Sequence, residues 1–373
     1  MTLLGAHHDD LGATYGERGG RRLVAHYGRP AVAHRAVRNG VGVTEQGYGI
    51  VAVTGADRVD YVDNIVTNRV PASDGEGCYT FVLDPQGHIE TDCYIYNAAE
   101  QLLLFTPPSQ VEDLVVDWSA KTFVQDVAID DVSADFGVFG VHGPSATEKI
   151  ASVLNHAGAP EPELHFDRGS MGDAGVTVVA GDNPTGEDGY TVICGADDAP
   201  GVFDTLLNHG LNAAPFGEAT WNTLTVEAGT PRFASELQGA IPNTVGARHA
   251  VDFEKGCFIG QEIVSKVENR GRPSKQLVGL RLDAPCGAGD ELRADGDAVG
   301  ELTQAIESPS VGEPIALAFC ASDALDGSLT VGSTAAEAAD ADGAADEPTV
   351  VDADRIELPF VDGSATSLRR PQY

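Results

Sequence analysis

Two stretches of the chain repeat one another. GYGIVAVTGADRVDYVDNIV (47–66) aligns with DFGVFGVHGPSATEKIASVL (135–154) at a constant offset of 88 (135 − 47), so that Gly49 meets Gly137, Val53 meets Val141, Gly55 meets Gly143 and Val66 meets Leu154. Each copy reads as a buried strand, a glycine turn and an amphipathic helix. Two such units predict a duplicated α+β module. Neither turn is a phosphate loop, because GxxxxGK[ST] and GxGxxG are both absent. Ser145 lacks the GxSxG elbow and reads as a helix-start residue, not a nucleophile.

Around the repeat, a helical opening is expected up to about Arg38. CYTFVLDPQGHIETDCYIYN (78–97) reads as a hairpin turning at Asp84-Pro85-Gln86-Gly87, and TLTVEAGTPRF (223–233) as a strand and a turn. After Pro273 the texture changes to short β-like runs split by glycines, namely QLVGLRL, VGELTQA, PIALAFC, SLTVG and RIELPFV. That spacing predicts a small all-β terminal domain. The expected division is therefore 1–272 and 273–373, with the acidic, aromatic-free stretch 334–348 as a solvated loop.

Charge narrows the function classes. With 57 acidic and 23 basic residues the chain carries −34, which argues against a nucleic-acid face, since that needs clustered cations. Only five of the cations are lysines; this acidic, lysine-poor surface suits a salt-rich, halophilic cytoplasm, where screening tolerates self-repulsion. No apolar run approaches the roughly 20 residues that span a bilayer, and MTLLGAHHDD lacks a basic-then-apolar signal pattern. A cytoplasmic protein is expected, neither membrane-bound nor secreted. The six cysteines show no CxxC and no zinc-finger spacing, so reduced thiols and no intrinsic metal site are expected.

Chemistry concentrates in AVDFEKGCFIGQEIVSKVENRGRPSKQLVGL (250–280), which holds Lys255, Lys266, Arg270, Arg272 and Lys275. A cationic patch in so acidic a chain fits an anionic ligand; the same side chains could instead neutralise Glu254, Glu262 and Glu268. Cys257 stands between Gly256 and Phe258, two residues from Lys255, as an activated thiol or a small core residue. Asp92, within an apolar strand, is a candidate base or acceptor for a heterocycle N–H if it faces inward, and a solvated carboxylate if it faces out. Glu187 lies in the acidic turn Thr185–Tyr190.

The octapeptide Lys255-Gly256-Cys257-Phe258-Ile259-Gly260-Gln261-Glu262 resembles the K-G-C-[FY]-x-G-Q-E signature of the YgfZ family of folate-binding proteins, relatives of the glycine-cleavage T-protein (GcvT, aminomethyltransferase). Val66-Thr67-Asn68, the 82–96 hairpin, TGEDGY (185–190), VEAGTPRF (226–233) and LVGLRLD (277–283) resemble that superfamily in order, so the likeness covers nearly the whole chain.

The resemblance implies a GcvT/YgfZ-like multidomain cloverleaf around a central tetrahydrofolate cavity, with a C-terminal β-barrel beside it. It implies Asp92 and Glu187 as carboxylates facing the reduced pterin, Lys255 and Gln261 as further folate-binding positions, and Cys257 as a functional thiol. T-proteins commonly carry paired aspartates where this chain has Thr91-Asp92, usually carry Arg where Thr225 stands, and lack the motif cysteine. These departures favour the YgfZ side, which implies a folate-binding role in maturation or repair of iron–sulfur proteins, with client or assembly proteins as partners. The alternative is aminomethyl or related one-carbon transfer from a lipoylated carrier protein to tetrahydrofolate, with Asp92 catalytic.

Overall fold

The repeat forms as its sequence predicts. In the computed structural model, which describes residues 2–333 and 349–373, the first copy gives the strand Gly49–Thr54 and the helix Arg58–Asp63, and the second gives Phe136–His142 and Ala146–Val153. The paired glycines have one physical reason. Gly55 and Gly143 both have positive φ, and a Cβ there would overlap the backbone of Asp126 or of Gly40.

The first copy seeds an antiparallel sheet, and the second a sheet that is antiparallel except for one short parallel edge pair. Gly49–Thr54 sits between Ala128–Asp131 and Gln101–Thr106, which continues through Ile89–Ala98 to Gly77–Leu83. Phe136–His142 sits in a six-stranded sheet between Gly189–Gly195 and Gly42–Glu45. In both, alternate side chains go to opposite faces. Cys78, Cys93 and Ile95 pack with the helix Val111–Ala120, while Tyr79, Phe81, Tyr94 and Tyr96 join a central core. Phe139 and Val141 likewise pack with the helix Ala199–Asn208, and Val138 joins the same central core. The two sheets thus present their uncovered faces to one interior.

The closing element is a six-stranded closed barrel that starts at Lys275–Leu282 and ends with Thr349–Ile356. The fold is mixed α+β with a terminal barrel, as expected. The acidic stretch 334–348 lies outside the described residues.

Three local expectations need correction. The opening is not all helix: Gly19 and Gly20, both with positive φ, close a tight hairpin between Thr14–Arg18 and Arg21–His26 before the helix Pro30–Asn39. TLTVEAG is not a strand but the end of the helix Glu218–Glu227. Its β-branched residues mimic a strand, yet the Thr223 and Thr225 hydroxyls donate to the Ala219 and Trp221 carbonyls one helical turn back. The last strand precedes LPFV and stops at Ile356.

Candidate active site

Strand parity decides where Asp92 points. It lies on Ile89–Ala98 at the parity of Tyr94 and Tyr96, so it faces the central interior and is buried. The opposite alternative, a solvated outward carboxylate, is ruled out. Tyr79 donates to Asp92 Oδ2 at 2.6 Å, while Oδ1 is buried without a partner. Burial pushes the carboxyl pKa up, and the Tyr79 hydroxyl pulls against it.

Asp92 lines a cavity of about 240 Å³ walled by Tyr48, Tyr94, Phe105, Trp221 and Phe233. Three guanidinium groups line it as well: Arg18 from the opening hairpin, Arg232 and Arg369. Glu218 accepts from both Arg18 (2.8 Å) and Arg232 (3.2 Å). Arg369 pairs with Asp182 at 3.1 Å and lies over the rings of Tyr79 and Tyr94. Aromatic walls, a free carboxylate oxygen and oriented cations suit a flat, polar heterocycle with an anionic substituent.

The other candidate residues lie elsewhere. Glu187 is buried, but Arg38 Nη1 donates to its Oε1 at 2.8 Å, and the Ser364 amide and hydroxyl donate to its Oε2 at 2.8 and 2.6 Å. The same Arg38 donates to Glu227 at 2.7 Å, and Glu227 also accepts from Ser308 and Ser310 of the barrel. Glu187 thus belongs to a buried network joining the helix Pro30–Asn39, the barrel and the chain beyond it.

Lys255 is buried too, its Nζ donating to the carbonyls of Asp63, Val66 and Asn68 at 2.6, 2.9 and 2.9 Å. It stitches the motif segment to the loop after the first repeat, with no proton donor left for a ligand. Gln261 donates to the Gly256 carbonyl at 3.3 Å, and Cys257 is exposed. None of these four lines the Asp92 cavity.

The cavity's cations come from outside the 250–280 patch. Arg232 was visible within TPRF, whereas nothing local to Arg18 or Arg369 marks them. Thr91 bonds Thr106 on the opposite face of the sheet, so a second carboxylate at position 91 would not enter the cavity. Thr225 does line it, but its hydroxyl is spent on its own helix.

Comparison with known proteins shows the family and the fold. The family model "GCVT N-terminal domain" matches residues 4–255, and "Glycine cleavage T-protein C-terminal barrel domain" matches 275–362. The chain belongs to the glycine cleavage T-protein family. Among T-protein relatives, an aminomethyltransferase of Halalkalibacterium halodurans is 31% identical, over 83% of this chain and 88% of that one. One of Saccharopolyspora erythraea is 29% identical, over 84% and 87%. The T-protein fold also appears in the crystal structure of the glycine cleavage system aminomethyltransferase T from Bartonella henselae, with a TM-score of 0.84 at 18% identity over 98% of this chain and 99% of that one. Among the described residues no group of three or more His, Cys, Asp or Glu side chains is placed to hold a metal ion, and no helix is long and apolar enough to cross a membrane.

Proposed function

We propose that this T-protein family member binds tetrahydrofolate in the Asp92 cavity. The observation that carries the reading is the unpartnered Asp92 Oδ1, a buried acceptor that a reduced pterin N–H would satisfy. The cavity suits the bicyclic head, with the charged tail leaving past Arg18, the most exposed of the three lining arginines. Bound folate supplies the nitrogen that carries a one-carbon unit. Asp92 would orient that nitrogen and hold or take its proton, and the aromatic walls would exclude water.

Two uses of bound folate follow. The first is a YgfZ-type role in maturation or repair of iron–sulfur proteins. It is supported by the KGC motif and by Cys257, whose exposed thiol can meet a protein partner while folate occupies a separate cavity. The second is aminomethyl transfer from a lipoylated carrier, supported by the aminomethyltransferases among the relatives.

Titration with tetrahydrofolate in molar salt tests the shared reading, which fails if the folded protein does not bind. Cys257→Ser then separates the uses. A YgfZ-type role predicts unchanged folate affinity with loss of iron–sulfur enzyme activity in cells. Turnover with an aminomethylated lipoyl carrier, abolished by Asp92→Asn and untouched by Cys257→Ser, would establish the transferase instead.

A further inference from the structure

We propose that His142 is a second ligand-binding residue, hydrogen-bonding through one ring nitrogen a single polar edge atom of the bound pterin, from a recess that adjoins the Asp92 cavity. The inference rests on the folate reading above. His142 ends the strand Phe136–His142 at the parity of Val138, so it faces the central interior from the second repeat as Asp92 does from the first sheet. The residue at its place in the first copy is Thr54 (142 − 88).

His142 is 2% exposed, and both of its ring nitrogens are buried without a partner. Burial pushes its pKa down to about 3, with Arg369 adding to the effect. The ring is therefore neutral near pH 7 and carries one donor and one acceptor. Two orphaned polar groups in an interior keep a desolvation cost that nothing offsets. Space is nevertheless kept for them. A Cβ on Gly140 would come within 2.6 Å of Nε2, and one on Gly189, the cross-strand partner, within 2.6 Å of Nδ1. Two glycines thus form a cradle for this imidazole.

The ring lines a recess of about 20 Å³ with Gln46 and Asp182, room for about one water-sized polar group. Tyr48, Tyr94 and Phe105 wall both this recess and the Asp92 cavity. Trp221, which lines that cavity, lies edge-on to His142 at 5.2 Å. A flat heterocycle held at Asp92 would be bounded by these shared rings, and one polar edge atom would fill the recess.

The test is calorimetric titration of the full chain with tetrahydrofolate in molar salt, alongside thermal melts without ligand, for the wild type, Asp92→Asn, His142→Leu and His142→Gln. The expected result is that His142→Leu melts no lower than the wild type, because it removes unsatisfied polar groups, yet binds folate about tenfold or more weakly. His142→Gln, which keeps a donor and an acceptor, should lose less. Wild-type affinity in His142→Leu overturns the proposal. So does a lowered melting point with unchanged affinity, which would assign the recess to a permanent water. Failure of His142→Leu to fold also counts against it, since it would assign the ring a packing role against Phe216 and Trp221. If the wild type itself binds no folate, the underlying reading falls; if Asp92→Asn weakens binding and His142→Leu does not, only this inference falls.

Discussion

Tyr79 donates its phenolic hydrogen to Asp92 Oδ2 at 2.6 Å, and in doing so determines that Oδ1 is the oxygen left for a ligand. Tyr79 is itself held face to face with His249, with ring planes 5° apart and centroids 5.3 Å apart. The carboxylate is thus positioned from a neighbouring strand and braced from behind.

Removing that donor tests the arrangement. Tyr79→Phe keeps the packing but leaves a buried carboxylate short of a hydrogen bond, worth about 1–3 kcal/mol. Tetrahydrofolate affinity should fall about tenfold. Asp92, already pushed up by burial, should rise further once Tyr79 no longer pulls it down, which would move the acidic limb of the affinity-versus-pH curve upward. An unchanged curve would show that Asp92 does not meet the ligand.

Lys255 should behave as a structural residue. Lys255→Met keeps the stem but leaves three carbonyls without their donor. A stability loss on the order of 2–4 kcal/mol by urea denaturation is expected, with folate affinity of the folded fraction unchanged. The exposed Lys266→Met should change neither. A selective loss of folate binding in Lys255→Met would return the lysine to the ligand site.

Acid should erode stability through two overlapping pH windows. Burial lowers His142 and His249 to about 3 from 6.5, so the unfolded chain binds more protons than the native one between those values. Stability therefore rises with pH across that window and falls as pH drops through it. His249→Leu should flatten the slope of urea midpoint against pH between about 6.5 and 3. A slope that persists undiminished would mean that the ring is already protonated, or solvated, in the native state.

Glu227 governs the more acidic window. Burial pushes its carboxyl up, but His34, Ser308 and Arg38 outweigh that and bring it down to about 2 from 4.5. Its contribution, on the order of 3 kcal/mol, is present above pH 4.5 and lost as pH falls toward 2. Glu227→Gln should destabilise the protein at neutral pH and remove that part of the acid dependence. Because Ser308 and Ser310 bring the barrel to this carboxylate, limited proteolysis of the variant should cut first between residues 250 and 275.

Thiol reactivity should single out Cys257. Of the cysteines, all of which are described, Cys257 is exposed, Cys286 half-buried and the other four buried. Native protein should therefore give one fast-reacting thiol with a maleimide, lost in Cys257→Ser, and saturating tetrahydrofolate should leave its rate unchanged because the thiol lies outside the cavity. Strong protection by folate would place Cys257 nearer the ligand than the structure does.

Periodicity and turn chemistry made much of the fold legible. The hairpin turning at Gly87 and the barrel strands announce themselves within windows of about ten residues, and the repeat in the alignment of its two copies. The helix ending at Glu227 did not, because threonine-rich helices and strands share a composition and only tertiary burial separates them. Asp92 was legible as a candidate, but its orientation depended on which face of the sheet the interior took. Arg18 and Arg369 were invisible because their common place is a product of topology and not of spacing. Lys255 misled for the opposite reason: local composition counts charges, and cannot tell a cation offered to solvent from one consumed by carbonyls.

The position of Arg369 has a consequence for biosynthesis. The cavity's carboxylate, its aromatic walls and two of its arginines are translated long before this residue, and domains tend to fold in the order in which they leave the ribosome. Until Arg369 arrives, Asp182 lacks its guanidinium partner and the faces of Tyr79 and Tyr94 lack the cation that covers them. Both sheets and the last barrel strand, which ends at Ile356, thus precede in the chain the residue that closes one side of the cavity. Loss of this guanidinium alone would leave Asp182 without its ion-pair partner and one wall of the cavity uncovered.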